Sequence, residues 1–519
     1  MRRVTEVVMG LLMALAVAAP AVLAAEAVNT GRQFLNLDLM LAQTGMAQVP
    51  AVPPSGVLPL SIRDSIALAL KNNLDIAVEG YNPPQREQAL TTEKSAFDPS
   101  AFLEVTRSDS QVPAGTQVIQ GTRVASAFWD YNAGLRQKLP TGGTYELRFN
   151  NEYNELHSID FTQFVSKFGL TLTQPLLRNF GFEANETNIR IATNNQSISR
   201  EQLRLKVSDI VTLVQNSYAE FVFAIQNLEV QRKSLQLARD LVALNTARVR
   251  AGVAAPVEVT QAEAQEAAGV QNVILAEKAI QDAADTLKVV MNLPASGGWG
   301  QEIQATDALT FQPKAPKLDE SIQKALENRY EYKSAKLDIQ NKQLNVRLTR
   351  NQLLPDLAFT GSVFTNGAGN LYGNDISEMG STHFVSYAVG VILTVPLGNR
   401  GPQASYINAK LVEDQAKTSL KNLELQITQQ VREGVRRIDA NAKRVEANRA
   451  ARVLAEEQLR VEQRRLQAGV STTFNVLQFQ RDLTAAEANE LRAIADYFEA
   501  LVNLEKVQGT VLETNRIEM

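Results

Sequence analysis

The residue types that carry most enzyme chemistry are scarce in this chain of 519 residues. It contains no Cys, which excludes disulfides, thiolate zinc sites and Cys nucleophiles. Its two His residues, His157 and His383, stand beside small polar residues in segments that we expect to be loops. The four glycines between residues 367 and 380 lack the spacing of a phosphate-binding loop, and we expect them to lie in a loop as well. We therefore predict that the protein is not an enzyme and needs no cofactor or metal.

The charged residues with the most informative spacing lie in residues 127–154. Two runs of alternating apolar and polar residues flank a Pro-Thr-Gly-Gly turn there. Arg136 and Lys138 fall on the polar face of the first run, and Glu146 and Arg148 fall on that of the second. Alternation with one charged face is typical of strands that separate lipid from a water-filled lumen. We predict a β-hairpin whose charged face lines such a lumen.

Three further segments alternate in the same way, at residues 167–176, 357–363 and 387–395. Each has an apolar face and a face of small or polar residues. The pattern fits a membrane β-barrel, and it also fits a soluble antiparallel sheet with one buried face.

The N-terminus has the pattern of a secretory signal peptide, which we place at residues 1–24. Residues 25–58, with several Pro, Gly and small residues, are predicted to be a linker. We find no other stretch apolar enough for a transmembrane helix, so renewed membrane insertion would require β-strands. Export therefore favours the barrel over the soluble sheet. The net charge of −4 shows no basic excess, and we predict no nucleic-acid partner.

Very long helices must position these strands. Residues 187–250 and 403–467 lack internal Pro and place apolar residues three or four apart. At 1.5 Å per residue the first helix would be about 95 Å long. Gly252 and Gly469 follow these helices, where Gly suits a sharp exit with positive φ. A partner helix is predicted after each turn.

The chain also repeats itself. Ser65-Ile66, Ala69-Leu70 and Asn72 recur 256 residues later, and Gly252-Val253 recurs 217 residues later. We predict two tandem repeats, residues 59–300 and 301–519, with the hairpin 127–154 as an addition to the first.

Together these features resemble the TolC-like outer membrane efflux protein family. The resemblance rests on the tandem repeat, on Gln174-Pro175-Leu176-Leu177-Arg178 before the first long helix, and on the sequences around the two helix turns. It implies an α+β membrane protein: a homotrimeric outer-membrane β-barrel continued by a long periplasmic α-helical barrel. The usual members give four strands per protomer, twelve in the trimer. The added hairpin would make eighteen, or it would fold over the barrel mouth.

The resemblance also assigns roles to the helix turns. It implies that a periplasmic adaptor docks at the hairpin tips, here Arg250, Gly252, Val253, Arg465, Gly469 and Val470. It places the periplasmic constriction just after the turns, at the positions of Glu258, Gln261, Asn475 and Gln478. Only one of these four is charged, and three copies of Glu258 would form a weak acidic ring that favours cations. Solvated helix ends are the plain alternative.

The implied function is an outer-membrane channel-tunnel of a Gram-negative cell, which exports small molecules or secreted polypeptides. Its implied partners are a periplasmic adaptor (membrane fusion) protein, an inner-membrane RND or ABC transporter, and outer-membrane lipid. A periplasmic coiled-coil adaptor or scaffold of an export system is the alternative, because such proteins also contain long helical hairpins.

Overall fold

The computed structural model describes residues 56–113, 123–156, 161–293 and 299–519. The predicted signal peptide, nearly all of the predicted linker and His157 lie outside the described residues. The described chain forms two compact units. The first contains residues 56–84, 200–334 and 421–519, and the second contains residues 85–199 and 335–420.

Eight strands occur in the described ranges: β1 (Val57–Leu60), β2 (Ser100–Pro113), β3 (Arg123–Lys138), β4 (Thr144–Leu156), β5 (Phe161–Pro175), β6 (Glu302–Ala305), β7 (Asp356–Gly369) and β8 (Val385–Thr394).

Twelve α-helices occur in the same ranges: α1 (Ile62–Asn72), α2 (Leu74–Gly80), α3 (Asn82–Lys94), α4 (Phe182–Asn185), α5 (Thr187–Arg250), α6 (Pro256–Met291), α7 (Leu318–Asn328), α8 (Tyr330–Asn351), α9 (Tyr372–Gly380), α10 (Arg400–Gln467), α11 (Thr473–Gln508) and α12 (Val511–Thr514). Helices α5 and α10 confirm the predicted boundaries of the two long helices to within three residues, and α6 and α11 confirm that a partner helix follows each turn. No helix in the described part of the chain is both long and apolar enough to cross a membrane.

The first unit is built on the apolar stripe of α5. Val207, Val214 and Phe221 are at most 2% exposed, and they belong to one core cluster with Leu58 of β1 and Leu287 of α6. Tyr218 anchors the same helix, because its buried hydroxyl donates to the Leu60 carbonyl at 2.9 Å and accepts from the Asp307 amide at 3.1 Å. Strand β1 pairs in parallel with β6.

The second unit contains a six-stranded antiparallel sheet in the order β2-β3-β4-β5-β7-β8. The predicted hairpin corresponds to β3 and β4, and it lies inside the sheet between β2 and β5. Its turn, with Gly142 at φ 92°, is at the end of the sheet where β5 leads into α4 and α5. Of the two placements predicted for the hairpin, the sheet therefore adopts the one with added strands.

The register gives this sheet two different faces. Directly paired residues project to the same side, so each cross-strand row belongs to one face. One row is apolar and runs through Leu135, Leu147, Leu170, Val363 and Tyr387. The adjacent row is mostly polar and runs through Arg136, Glu146, Thr171, Ser362 and Ala388. We call these two sides the apolar face and the polar face.

Helix α9 corrects the prediction of a glycine-rich loop. Gly367 and Gly369 end β7, and Gly373 and Gly380 lie in α9. A Cβ at Gly367 would collide with the carbonyl oxygen of Asp375, so glycine lets the helix approach the apolar face of the strand. The spacing of these glycines therefore serves helix–sheet packing.

A buried carboxylate holds α9 on the sheet. Asp375 is 0% exposed, and it accepts hydrogen bonds from the Ser166 amide at 3.0 Å and the Ser166 hydroxyl at 2.5 Å. Asn151 donates to the same serine at 2.6 Å and lies 3.4 Å from the carboxylate. Nearby, Tyr372 of α9 meets the ring of Phe164 edge-on at 5.8 Å. A polar group buried this deeply is stable only when its hydrogen bonds are made.

Replacing Ser166 with Ala should loosen α9. Asp375 would lose its shortest hydrogen bond while staying buried, so the free energy of local opening should fall by about 1–3 kcal/mol. Hydrogen exchange of the α9 amides measures that free energy. Ser362→Ala, on the polar face of β7, is the matched control and should leave α9 unchanged. Equal protection of α9 in both variants would contradict the role given to Ser166.

Candidate functional site

The two turns that join the long helices share one backbone geometry. Gly252 has φ 75° and Gly469 has φ 76°. In the first turn the Val253 amide donates to the Arg248 carbonyl at 3.0 Å, and in the second the Val470 amide donates to the Arg465 carbonyl at 3.0 Å. These bonds close a helix end that only glycine adopts without strain. The positive φ predicted at both turns is therefore confirmed.

Both turns expose apolar side chains. Val253 and Val257 are 67% and 58% exposed at the first turn, and Val470 and Phe474 are 65% and 58% exposed at the second. The predicted docking residues Arg250 and Arg465 are also exposed. Large apolar side chains held in water at a helix end are a feature of surfaces that bind another protein.

Beneath the tips the two hairpins share a core. Leu241 and Ala262 of the first hairpin cluster with Leu459, Leu466 and Val476 of the second. All five are at most 5% exposed. The ends of the two hairpins are therefore packed together within the first unit.

Glu258 connects the two hairpins by polar contacts. Its carboxylate accepts a hydrogen bond from the Thr473 hydroxyl at 2.6 Å and lies 3.3 Å from the Arg248 guanidinium. Thr473 is fully buried, and its hydroxyl also lies 3.3 Å from the side-chain oxygen of Asn245. A carboxylate with these partners is committed within its own chain. Glu258 of the first hairpin is therefore bridged to the second hairpin through Thr473.

The other three predicted constriction residues remain on the surface. Gln261, Asn475 and Gln478 are exposed. The side-chain amide of Gln478 donates to Asp482 at 2.9 Å in the same helix, and that of Asn475 lies 3.4 Å from the Ser471 hydroxyl. The structure therefore brings Glu258 together with Thr473, Arg248 and Asn245, and it does not bring the four predicted residues into mutual contact in one chain.

Sequence reasoning missed a second buried contact at the second tip. Glu462 is 4% exposed, accepts a short hydrogen bond from the Ser471 hydroxyl and pairs with Arg465 at 3.1 Å. The Ser471 hydrogen bond is the main cause that lowers the pKa of Glu462 below its ordinary 4.5. Asn245 stands 217 residues earlier, the offset between the two turns. Asn245 and Glu462 thus occupy equivalent positions relative to their turns, and this equivalence could have marked Glu462 as a contact residue.

The four residues predicted to line a lumen lie together on the polar face. Arg136 pairs directly with Glu146 in the register, and the Arg148 guanidinium lies 3.4 Å from Glu146. Lys138 stands over the ring of Phe97 at 5.8 Å. The sequence therefore located one charged surface correctly from its period of two.

An aromatic ring organises this surface. Phe102 of β2 lies over Gly134 of β3, where a Cβ would come within 2.7 Å of the ring. The guanidinium groups of Arg136 and Arg148 stand 5.8 Å and 5.3 Å from the ring centre. Cations over the face of an aromatic ring gain roughly 0.5–1 kcal/mol each at exposed sites. Glycine, ring and arginines thus form one packed unit on the polar face.

A metal site would need clustered metal-ligating side chains within the described ranges. No group of three or more His, Asp or Glu in those ranges is arranged to hold a metal ion. His383 lies in an exposed segment before β8.

Comparison with known proteins identifies the class. The family described as outer membrane efflux protein matches residues 66–293 and 321–510, which is most of the chain. The outer membrane protein TolC of Vibrio cholerae is 22% identical over 360 residues, which cover 68% of this chain and 78% of that protein. The outer membrane efflux protein BepC of Brucella suis is 24% identical over 345 residues, with 66% and 71% covered.

The fold agrees with this assignment. The crystal structure of the outer membrane protein VceC from Vibrio cholerae matches with a TM-score of 0.62 and 16% identity, covering 86% of this chain and 96% of that one. The chain belongs to the outer membrane efflux protein family. It is a TolC-like channel protein of the outer membrane, and the resemblance predicted from the sequence is confirmed.

The second tip should be sensitive to acid. Since the pKa of Glu462 is lowered in the folded chain, its contact with Ser471 contributes fully at neutral pH. That contribution is lost as the pH falls below 4.5 and through the lowered pKa. Hydrogen-exchange protection factors for residues 468–472, corrected for intrinsic rates, should therefore drop over that range. Glu462→Gln should show weaker protection that no longer depends on pH, and an unchanged pH profile in this variant would rule the contact out as the cause.

Proposed function

We propose that three copies of this chain form a channel-tunnel that carries solutes from an inner-membrane pump across the periplasm and the outer membrane. The observation that carries the proposal is the sheet with one apolar and one polar face, on the same chain as two long helical hairpins. In a barrel the apolar face meets lipid and the polar face lines water. The two stretches matched by the family support a duplicated protomer.

The edges of the sheet support closure by several copies. Within the described chain, β2 pairs only with β3 and β8 pairs only with β7. Strand β8 is exposed along nearly its whole length, with Tyr387 at 83% and Val389 at 71%. Unpaired edges of this length invite pairing with another strand. A ring in which each β8 pairs with the next β2 removes every edge, and three copies of six strands give eighteen.

Eighteen strands suffice for an aqueous passage. Barrels of sixteen to eighteen strands leave a water-filled channel, whereas about eight strands leave an interior filled by side chains. Arg136, Lys138, Glu146 and Arg148 would line this passage. The hairpin β3–β4 thus widens the barrel relative to the twelve strands usual for the family.

The helical hairpins would extend the passage into the periplasm. Their tips offer Val253, Val257, Val470 and Phe474 to a periplasmic adaptor protein, and Arg250 and Arg465 lie beside them. An RND or ABC transporter in the inner membrane would supply the energy. Small molecules and secreted polypeptides are the two classes of cargo.

The constriction would lie at the tips, where Glu258, Gln261, Asn475 and Gln478 follow the turns. The Glu258–Thr473 hydrogen bond ties the first hairpin to the start of α11. Separation of the hairpin ends requires this bond to break, whereas the Arg248–Glu258 ion pair lies within the first hairpin. We propose that the bridge holds the tunnel closed and that adaptor binding releases it.

Envelope fractionation and native mass test the channel directly. The protein should float with the outer membrane and, after extraction in detergent, show the mass of three chains plus bound detergent. Deleting residues 123–143, which removes β3 and its turn, should prevent assembly because β4 would then meet β2 in the wrong direction. A soluble periplasmic protein, or one that floats with the inner membrane, would instead support the adaptor alternative.

Replacing Thr473 with Val should open the constriction. Valine keeps the shape but removes the donor to Glu258, at a cost of about 1–3 kcal/mol to the closed state. Single-channel recording should show a higher open probability than in the native protein. Thr428→Val is the control, because that hydroxyl donates only to the backbone carbonyl of Glu424 in its own helix. Equal open probability in both variants would exclude the bridge as the closing contact.

A further inference from the structure

The charges of the polar face are sorted along the strands. Near the β3–β4 turn lie three cations and one anion: Arg136, Lys138, Arg148 and Glu146. Farther from the turn lie three anions and one cation: Glu104, Asp130, Glu152 and Lys167. We call these sets the basic band and the acidic band. Their formal net charges are +2 and −2 per chain.

The register places every member of both bands on one face. Arg136 pairs with Glu146, and Gly134, two residues away on the same face, pairs with Arg148. Glu104 pairs with Asn132, and Asn150 of the same row pairs with Lys167. Paired residues, and residues two apart on a strand, project to the same side. Asp356 shares this face, but it lies at the very start of β7, beyond the basic band.

The acidic band contains a pairing that stability alone disfavours. Asp130 of β3 and Glu152 of β4 stand directly opposite each other. Like charges in directly opposed positions destabilise a sheet. By contrast, Arg148 of the basic band lies 3.4 Å from Glu146 of its own band and 3.3 Å from Glu104 of the acidic band. Most other directly paired positions in the sheet hold at least one uncharged residue. The two facing carboxylates therefore point to a role in the lumen.

The bands meet at the ion pair between Arg148 and Glu104, at 3.3 Å, and their outer members lie much farther apart. Six residues separate Arg136 from Asp130, which corresponds to about 20 Å along a strand. With strands tilted by roughly 40°, the axial separation is about 15 Å. The Debye length is about 10 Å in 0.1 M salt. A mobile ion at that salt concentration therefore meets two fields of opposite sign in sequence.

We propose that the polar face is a bipolar electrostatic filter that favours neutral and zwitterionic solutes over simple anions and cations. This inference rests on the proposed channel. The basic band lowers the concentration of cations and the acidic band lowers that of anions, so either ion meets one unfavourable band. A neutral or zwitterionic solute carries no net charge and meets neither barrier. The cargo class that this lumen suits is small polar molecules without net charge.

Bands in series also make ion conduction directional. When the compartment next to the acidic band is at positive potential, cations move from the acidic band toward the basic band. Anions move in the opposite direction, from the basic band toward the acidic band. Both ions therefore accumulate between the bands. With the acidic side negative, that region is depleted of ions. The native channel should therefore conduct better with the acidic side positive in 0.1 M KCl. In 1 M KCl the Debye length is about 3 Å, and this asymmetry should shrink.

Reversal potentials in a KCl gradient test the two bands against each other. Asp130→Asn with Glu152→Gln should raise chloride over potassium permeability about twofold or more near 0.1 M salt, because the basic band then acts alone. Arg136→Gln with Lys138→Gln should change the ratio by a similar factor in the opposite direction. Arg107→Gln with Asp109→Asn, a neutral change on the apolar face, is the matched control. Native mass must show three chains for each variant.

Flux from liposomes tests the cargo class. A zwitterion such as glycine betaine should leave native-channel liposomes faster than an anion or a cation of similar size. The advantage should fall in both double variants. If both double variants form trimeric channels but their permeability ratios shift in the same direction, or do not shift, the filter is wrong. The proposed channel would then still stand. Absence of ion-conducting trimers would overturn the channel and the filter together.

Discussion

Strict alternation along six paired strands is the constraint on which the described sheet depends. Since the side-chain period is two, a shift of β4 by one residue would move Arg148 or Glu146 into the row of Leu170. The register runs from β2 through β8 without interruption, so each cross-strand row stays on one face of the sheet. Gly134 and Gly169 take part in this order, because the rings of Phe102 and Phe364 lie over them on the polar face. The two faces follow from the alternation of residue types along the strands, and they are the basis for the proposed role of the sheet in the membrane.

The helical unit is held together by different contacts from the sheet. Its long helices are exposed over much of their surface, and their burial is concentrated in separate clusters, such as those around Phe221 and Leu466. Between clusters the helices are joined by hydrogen bonds and ion pairs, of which Glu258–Thr473 and Glu462–Ser471 lie at the ends. Polar contacts of this kind exchange for water at modest cost. Separation of the hairpin ends would break these polar contacts and also uncover part of the apolar cluster around Leu466.

The sequence predicted the periodic features and missed the contacts between distant segments. Helix boundaries, the two positive-φ glycines and the charged face of β3 and β4 follow from local patterns with a fixed period. The partners of Glu258 do not, because Thr473 lies 215 residues away and nothing in its neighbourhood marks it as buried. Helix α9 was mistaken for a loop because Gly373 and Gly380 lower its helix propensity. Its packing against Gly367 and Ser166 outweighs that propensity.

Helix α9 has a consequence for the order in which the chain matures. The residues that satisfy Asp375 are Ser166 and Asn151, which precede it by 209 and 224 residues. Until β4, β5 and β7 are paired, the pocket for this carboxyl group does not exist, and the group needs water. Docking of α9 therefore comes after closure of the sheet between the two halves of the chain. A chain that stops folding before the sheet is paired leaves α9 and the rings of Tyr153 and Phe164 uncovered. Exposed apolar surface of this kind is what chaperones and proteases of the envelope bind.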